Sequence, residues 1–183
     1  MPINLIPFCS TDETWYQLRV PFTVREHVYA TDGRIIVRLP KTAYPEYDSN
    51  RWDKSASALA LFDNLPKDWQ KTAEWTRLVS VQIPPRHFRV CNDCGGGPPG
   101  CEECDNGRVQ DFEYVKVGKK LFNNHYLLLM VEHLPNVHIA ANVGTEHEQT
   151  PFEFDGGLGL LMPVRPEAQR YGYSTQEITT ESK

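Results

Sequence analysis

Short runs of alternating apolar and polar residues recur along the chain and predict mostly β-strands. Residues 27–31 (HVYAT) and 34–40 (RIIVRLP) flank Asp32-Gly33, a dipeptide that supplies the positive φ angles of a two-residue hairpin turn. Further strands are predicted at 16–24, 77–83, 109–117, 137–143, 151–154 and 158–165. The pattern therefore indicates a sheet-rich domain whose clearest local feature is the hairpin around Asp32-Gly33.

Two segments carry helical spacing instead. SASALALFDNL, at 55–65, predicts a short helix that ends before Pro66. LFNNHYLLLMVEHL, at 121–134, places apolar residues near helical spacing, and Pro135-Asn136 ends that helix. The fold class expected from these elements is α+β.

Four cysteines lie between residues 91 and 104, in the sequence CNDCGGGPPGCEEC. A pair of thiolates two residues apart lets one short turn present two sulfurs to an ion, and two such turns complete a tetrahedral site. The spacing therefore predicts a Zn²⁺ site formed by Cys91, Cys94, Cys101 and Cys104. Because four sulfurs leave no open coordination position, the predicted role of the ion is structural.

Other roles for the cysteines remain open. A redox pair is an alternative, although a redox CxxC usually opens a helix, which the glycines and prolines here disfavour. Cys9 has no thiol neighbour in the sequence and is expected to be a small buried residue. CNDCGGG and CEECDNG also resemble the CxxCxGxG zinc modules of J-domain co-chaperones over their first halves, a resemblance that implies shared zinc chemistry only.

Composition sets the class of protein. The chain has 183 residues, of which 40% are hydrophobic, and this is enough for one domain with a core. Its net charge of −5 gives no large basic surface. No basic apolar leader begins the chain, and no run reaches the roughly 18 apolar residues that a membrane-spanning helix needs. We expect a soluble cytoplasmic protein that does not contact membranes.

HVYATDGRIIVRLP is similar to the ATDGHRLAV-type hairpin of the bacterial sliding clamp, the processivity subunit of the replicative DNA polymerase. Residues 113–165 follow the clamp's terminal domain in order: a strand, a helix that ends in leucine, NV opening a strand, another strand, and a closing MPVR where clamps have MPMR. The resemblance implies a clamp-like domain of antiparallel strands with helices on one face. It would comprise residues 1–90 and 105–166, with a zinc-binding insertion at 91–104 and a flexible tail at 167–183.

The resemblance also implies a place for a protein partner. Sliding clamps hold client peptides in an apolar pocket that includes the closing strand, and Met162, Pro163 and Arg165 are the matching positions here. The less specific interpretation of these three residues is a strand end, an edge proline and a solvated arginine. A partner from the replication machinery is the expectation that the resemblance carries.

Encirclement of DNA is a clamp property that this sequence does not support. Clamps form a ring of six domains whose inner helices carry lysine and arginine, whereas the helix at 121–134 contains neither. A ring would need a homo-oligomer of this chain. DNA contact by encirclement alone is therefore not expected.

Nucleic-acid binding by another surface is the alternative function. Basic and aromatic residues alternate around the cysteine segment, and that combination suits single strands through phosphate attraction and base stacking. The candidates are Arg86, Arg89, Arg108 and Lys116. Asp93, Glu102, Glu103 and Asp105 within the segment would repel phosphate.

No sequence pattern supplies a catalytic group. The chain has neither a nucleophile elbow nor a phosphate-binding glycine loop with its lysine. The function predicted from the sequence is thus that of a non-catalytic, zinc-binding interaction module linked to DNA replication.

Overall fold

The computed structural model describes residues 3–43, 52–97, 101, 104, 106–111, 113–165 and 175–178. Seven strands form the main antiparallel sheet, in the order β1-β2-β3-β11-β10-β9-β4. The strands of this sheet are β1 (Phe22–Val24), β2 (His27–Thr31), β3 (Ile35–Pro40), β4 (Thr76–Arg77), β9 (His138–Ile139), β10 (Thr150–Phe154) and β11 (Gly157–Leu161).

Two smaller sheets accompany it. A three-stranded sheet contains β12 (Thr175–Ile178), β7 (Tyr114–Val117) and β8 (Lys120–Asn123), and a two-stranded hairpin contains β5 (His87–Val90) and β6 (Arg108–Asp111). The α-helices are α1 (Trp52–Asp63), α2 (Trp69–Thr72) and α3 (Asn124–His133). Single 3₁₀ turns occur at Ile6–Phe8, Glu13–Leu18, Lys41–Ala43 and Ser80–Gln82. The α+β class predicted from the sequence is confirmed.

Both faces of the main sheet are covered. Successive side chains of a strand point to opposite faces, so Ile35 and Val37 of β3 join a core that includes Leu127 and Met130 of α3. Ile36 between them packs in a second cluster with Ala58 and Phe62 of α1. The resemblance to sliding clamps implied helices on one face of the sheet, whereas α3 and α1 lie on opposite faces. No helix within the described ranges is long and apolar enough to cross a membrane.

The turn between β2 and β3 differs from the prediction. The strands pair from His27↔Pro40 to Thr31↔Ile36, so four residues form the loop instead of two. Gly33 has a positive φ of 93°, whereas the Asp32 carboxylate accepts hydrogen bonds from the backbone N–H groups of Arg34 (2.8 Å) and Ile35 (3.0 Å). An aspartate-capped turn therefore replaces the expected two-residue turn.

The helix predicted at 121–134 begins later than expected. Leu121 and Phe122 belong to strand β8, and α3 starts at Asn124. The Asn123 side chain caps the helix by accepting a hydrogen bond from the N–H of His125 (2.8 Å). A strand and a helix that meet without a loop give one continuous apolar run, which periodicity alone does not divide.

Other predicted segments also differ. The strand expected at 16–24 begins within the 3₁₀ segment Glu13–Leu18 and is a strand only at β1, and the one expected at 137–143 is reduced to β9. The strand expected at 77–83 is reduced to Thr76–Arg77 followed by a 3₁₀ turn, and the one expected at 109–117 is divided into β6 and β7. Within the predicted flexible tail, residues 175–178 form β12, which pairs in parallel with β7. The apolar side chain of Ile178 is only 4% exposed, and its burial accounts for the order of this short segment. The rest of the tail lies outside the described residues.

Lys120 is a buried cation within this fold, with only 1% of its surface exposed. Its ammonium group donates hydrogen bonds to the carbonyl oxygens of Val143 (2.7 Å) and Glu148 (2.9 Å) and to the hydroxyl of Thr150 (3.0 Å). Burial lowers the pKa of Lys120 to about 8, so the group stays largely protonated at neutral pH. Lys120 therefore fixes the loop that leads into β10.

We predict that Lys120→Met lowers the free energy of unfolding by roughly 2–4 kcal/mol, because two buried acceptors and one part-buried acceptor lose their donor. The matched control is Lys119→Met, which removes an exposed charge next to it and should change stability by about 0.5 kcal/mol or less. Urea denaturation followed by circular dichroism measures both. Equal stability of the two variants would contradict this role.

Candidate metal centre and apolar cavity

The cysteine segment lies at the end of the β5–β6 hairpin. The two strands pair from His87↔Asp111 to Val90↔Arg108, and the N–H of Cys91 continues the ladder by donating to the carbonyl of Gly107 (2.8 Å). All four residues of β5 are exposed. The hairpin therefore gains little from apolar burial, and its end depends on the cysteines for further order.

Glycine is required where the two cysteine turns meet. Gly96 and Gly107 both have positive φ, at 79° and 80°, and a Cβ added to Gly107 would lie 2.8 Å from the Cα of Gly96. The two turns thus touch backbone to backbone, which a side chain at this contact would prevent. Hydrogen bonds from Gly95 N–H to Cys91 O and from Gly97 N–H to Cys94 O, both 2.9 Å, close the first turn.

These turns bring the four thiols together. All four sulfurs lie within 4.8 Å of one another; Cys91 Sγ is 3.9 Å from Cys101 Sγ, and Cys94 Sγ is 3.6 Å from Cys104 Sγ. These separations are too long for disulfides. A tetrahedral ion with bonds of about 2.3 Å to each sulfur needs sulfurs about 3.8 Å apart. The four sulfurs therefore lie close enough together to hold a metal ion.

The backbone around the cluster favours thiolate at one position. The N–H groups of Cys94 and Asp93 point at the Cys91 sulfur and lower the pKa of that thiol to about 7. Burial, followed by hydrogen bonds with the neighbouring thiols, raises the pKa of Cys104 to about 12. Metal binding must therefore release protons from the cluster, and affinity for the ion falls as the pH falls.

Cys9 stands apart from this cluster. It is buried, its thiol donates to the carbonyl of Leu5 at 3.7 Å, and burial raises its pKa to about 12. A thiol with so little thiolate at neutral pH is a poor nucleophile and a poor metal ligand. Its surroundings agree with a packing role.

An apolar cavity of about 210 Å³ opens beside α1, whose residues Ser57, Ala58 and Leu61 form part of its lining. Its wall is mostly apolar and consists of Trp15, Leu18, Phe22, Ile35, Ile36, Ala58, Leu61, Leu160 and Met162. Thr31, Gly33, Arg34, Ser57 and Gln149 complete the lining. Trp15 and Met162 are about half exposed, at 52% and 44%, so the cavity is accessible from solvent.

Two distant parts of the sequence form one wall of this cavity. Strand β3 pairs with β11, with Ile35 opposite Leu161, and the N–H of Met162 donates to the carbonyl of Arg34 (2.9 Å). The turn at Asp32-Gly33 and the closing MPVR segment, which carry the resemblance to sliding clamps, therefore adjoin each other at the cavity.

The residues proposed for partner binding are divided by the structure. Met162 lines the cavity, whereas Pro163 is half-buried and Arg165 is exposed, and neither belongs to the lining within the described ranges. The sequence did not predict Trp15, Leu18 and the α1 residues as part of this site. No local signal marks them, since they reach the cavity only through tertiary packing of α1 and of the 3₁₀ segment Glu13–Leu18.

Three of the four candidate nucleic-acid residues are engaged in ion pairs. Arg86 makes a bidentate pair with Glu132 (2.9 and 2.8 Å), Arg89 pairs with Asp111 (3.0 Å), and Lys116 pairs with Glu177 (3.1 Å). Arg108 is exposed, and no acidic partner is found for it among the described residues. These basic residues are thus partly neutralised by neighbouring acids.

No protein-family model matches the chain, and no curated protein matches it at a significant level. Only the cysteine cluster and the cavity themselves therefore indicate a function.

We predict one metal ion per chain at the four cysteines, and its loss in the double variant Cys91→Ser/Cys94→Ser. Because the hairpin lies outside the main sheet, this variant should keep a cooperative thermal transition while the hairpin amides exchange faster. Elemental analysis measures the metal content, thermal unfolding measures the transition, and amide hydrogen exchange measures the hairpin.

The matched control for the metal content is Cys9→Ala, which removes the one cysteine outside the cluster and should keep the ion. A wild-type protein purified without chelator that contains no metal would overturn the prediction. Complete loss of the thermal transition in the double variant would show that the metal supports the main sheet as well.

Proposed function

We propose that the ion is zinc and that it stabilises the β5–β6 hairpin without taking part in chemistry. Four thiolates in a tetrahedral arrangement suit Zn²⁺ and leave no position for water or substrate. The sulfur separations of 3.6 and 3.9 Å support this assignment. We infer that the role of the chain is non-catalytic.

We further propose that the chain is a protein-binding module related to sliding clamps, with the cavity beside Met162 as its partner site. The observation that carries this proposal is the pairing of β3 with β11, because it brings the turn and the closing segment of the clamp resemblance to one solvent-accessible cavity. Clamps bind client peptides in an apolar pocket that includes the closing strand, which Met162 matches here. The partner expected from the resemblance is a protein of the DNA replication machinery.

The cavity indicates what such a partner presents. At about 210 Å³ it is smaller than the roughly 300–1,000 Å³ of most small-molecule sites, and its size suits one or two large side chains. The wall is apolar, while Arg34 contributes a positive charge to the lining. The partner segment therefore carries leucine, phenylalanine or a similar apolar residue with an acidic residue close by.

Nucleic-acid binding by the hairpin is the second candidate. The exposure of Phe88 (55%) and Arg108 favours it, because an exposed aromatic ring can stack on a base and an exposed guanidinium can contact a phosphate. The ion pairs of Arg86, Arg89 and Lys116 oppose it, since each must be broken or shared to bind phosphate. The cavity is therefore the preferred site.

We predict that peptides selected against the protein from a random displayed library carry an apolar residue next to an acidic one and bind at the cavity. Met162→Glu should weaken binding of a selected peptide at least about tenfold, because it places a charge in the apolar wall and opposes the peptide's acid. Fluorescence anisotropy with the labelled peptide measures the affinity.

The matched control is Val81→Glu, which introduces the same charge at an apolar residue that is 89% exposed and lies outside the cavity lining. Peptides that bind Met162→Glu as well as the wild type would overturn the proposal. The second candidate is tested with labelled single-stranded and duplex DNA. Binding that falls steeply with salt and is lost in Arg108→Ala would support it instead.

A further inference from the structure

The first turn of α3 connects the cysteine hairpin to the cavity. Three consecutive residues are involved: Asn124, His125 and Tyr126. The first two contact the hairpin and its stem, and the third contacts the turn between β2 and β3. Neither connection follows from the protein-binding role itself.

Asn124 holds both stems of the hairpin. It is fully buried, and its amide group donates to the carbonyls of Pro84 and Pro85, which precede β5, at 3.2 Å each. Its side-chain oxygen accepts from the N–H of Glu113, which follows β6, at 3.3 Å. The chain enters and leaves the hairpin at this one side chain.

Two further contacts fix the hairpin against α3. The Gln110 amide of β6 lies 3.4 Å from His125 Nδ1, within hydrogen-bond distance. Burial lowers the pKa of His125, which favours the neutral ring. The bidentate pair of Arg86 with Glu132 joins the base of β5 to the last turns of the helix. A shift of the hairpin therefore disturbs the helix from its first residue.

Tyr126 carries the connection to the cavity. Its hydroxyl donates to Asp32 Oδ2 at 2.8 Å, and burial together with the Asp32 charge raises its pKa, which keeps the donor proton in place. The other carboxylate oxygen of Asp32 accepts from the N–H groups of Arg34 and Ile35. Gly33, Arg34 and Ile35 all line the cavity, so Tyr126 orients the carboxylate that shapes this part of its wall.

We propose that metal binding at the four cysteines orders the cavity wall through residues 124–126, with Tyr126 as the positioning residue. The hairpin lacks a core of its own, so release of the ion frees its strands to move. Motion of the stems then loosens Asn124 and His125, and the adjacent Tyr126 loses its fixed position against Asp32. That metal binding would regulate partner binding at the cavity rests on the proposed function. The coupling between the metal site and the cavity wall can be measured without a partner.

The experiment is amide hydrogen exchange of residues 33–35 in the full chain, metal-loaded and after removal of metal by a chelator. In the wild type, removal should accelerate exchange of the Arg34 and Ile35 amides about tenfold, the order expected for loss of a hydrogen bond to a carboxylate, here that of Asp32. In metal-loaded Tyr126→Phe these amides should already exchange at the faster rate, and chelation should add nothing. Strands β10 and β11 serve as the internal reference and should stay protected.

The control variant is Arg89→Ala, which breaks the Arg89–Asp111 pair inside the hairpin and leaves the contacts to α3 intact. It should keep the full response to metal. Unchanged exchange of residues 33–35 on chelation, or an equal response in Tyr126→Phe and the wild type, overturns the proposal.

If chelation also unfolds β10 and β11, the internal reference is lost. A second variant then tests the coupling without removal of the metal. Metal-loaded Gln110→Ala removes one contact between hairpin and helix while the ion stays bound. Faster exchange of residues 33–35 in this variant supports the coupling, and exchange at the wild-type rate overturns it. Because no peptide is present, failure here is distinguishable from failure of peptide binding at Met162.

Discussion

Strand β3 pairs with β11 in register from Ile35↔Leu161 to Arg38↔Leu158, and this pairing joins residues that are more than a hundred positions apart in the chain. Closing so long a loop costs conformational entropy, which burial on both faces of the strands offsets: Val37 and Leu161 face the α3 side, while Ile36 and Leu160 face the α1 side. Both helices pack against this central pair. The cavity, whose wall includes both strands, exists only because the pairing forms.

The β5–β6 hairpin, unlike the main sheet, is not stabilised by burial of apolar side chains on both faces. All four residues of its first strand are exposed, and two strands without a buried apolar face are marginal in water. Metal–thiolate bonds can supply the order that burial does not, as they do in small zinc domains. The hairpin is nevertheless anchored at its base, because Asn124 bonds to both of its stems. Its position therefore depends on α3, and a metal ion at the four cysteines would order its end.

The sequence was most informative where chemistry is local. Paired CxxC spacing predicted a cluster that the structure does bring within metal-binding distance, since the turns that position each pair span only four residues. Periodicity also located α1, α3 and most strands, but it merged Leu121 and Phe122 of β8 with α3. The cavity could not be predicted from spacing, because Trp15, Ala58 and Met162 come together only through tertiary packing. The contact of Tyr126 with Asp32 spans 94 positions and leaves no local signal.

Charge distribution bears on nucleic-acid binding by the hairpin surface. A phosphate-binding surface needs cations that are not neutralised by the protein itself, yet Arg86, Arg89 and Lys116 each lie within 3.1 Å of a carboxylate oxygen. On the same strand, Phe88 and Val90 are more than half exposed and, two residues apart, share one face. Arg108 lies opposite Val90 in the ladder, and no ion pair is found for it among the described residues. Phosphate binding at this surface therefore depends on Arg108, or on breaking one of the three ion pairs.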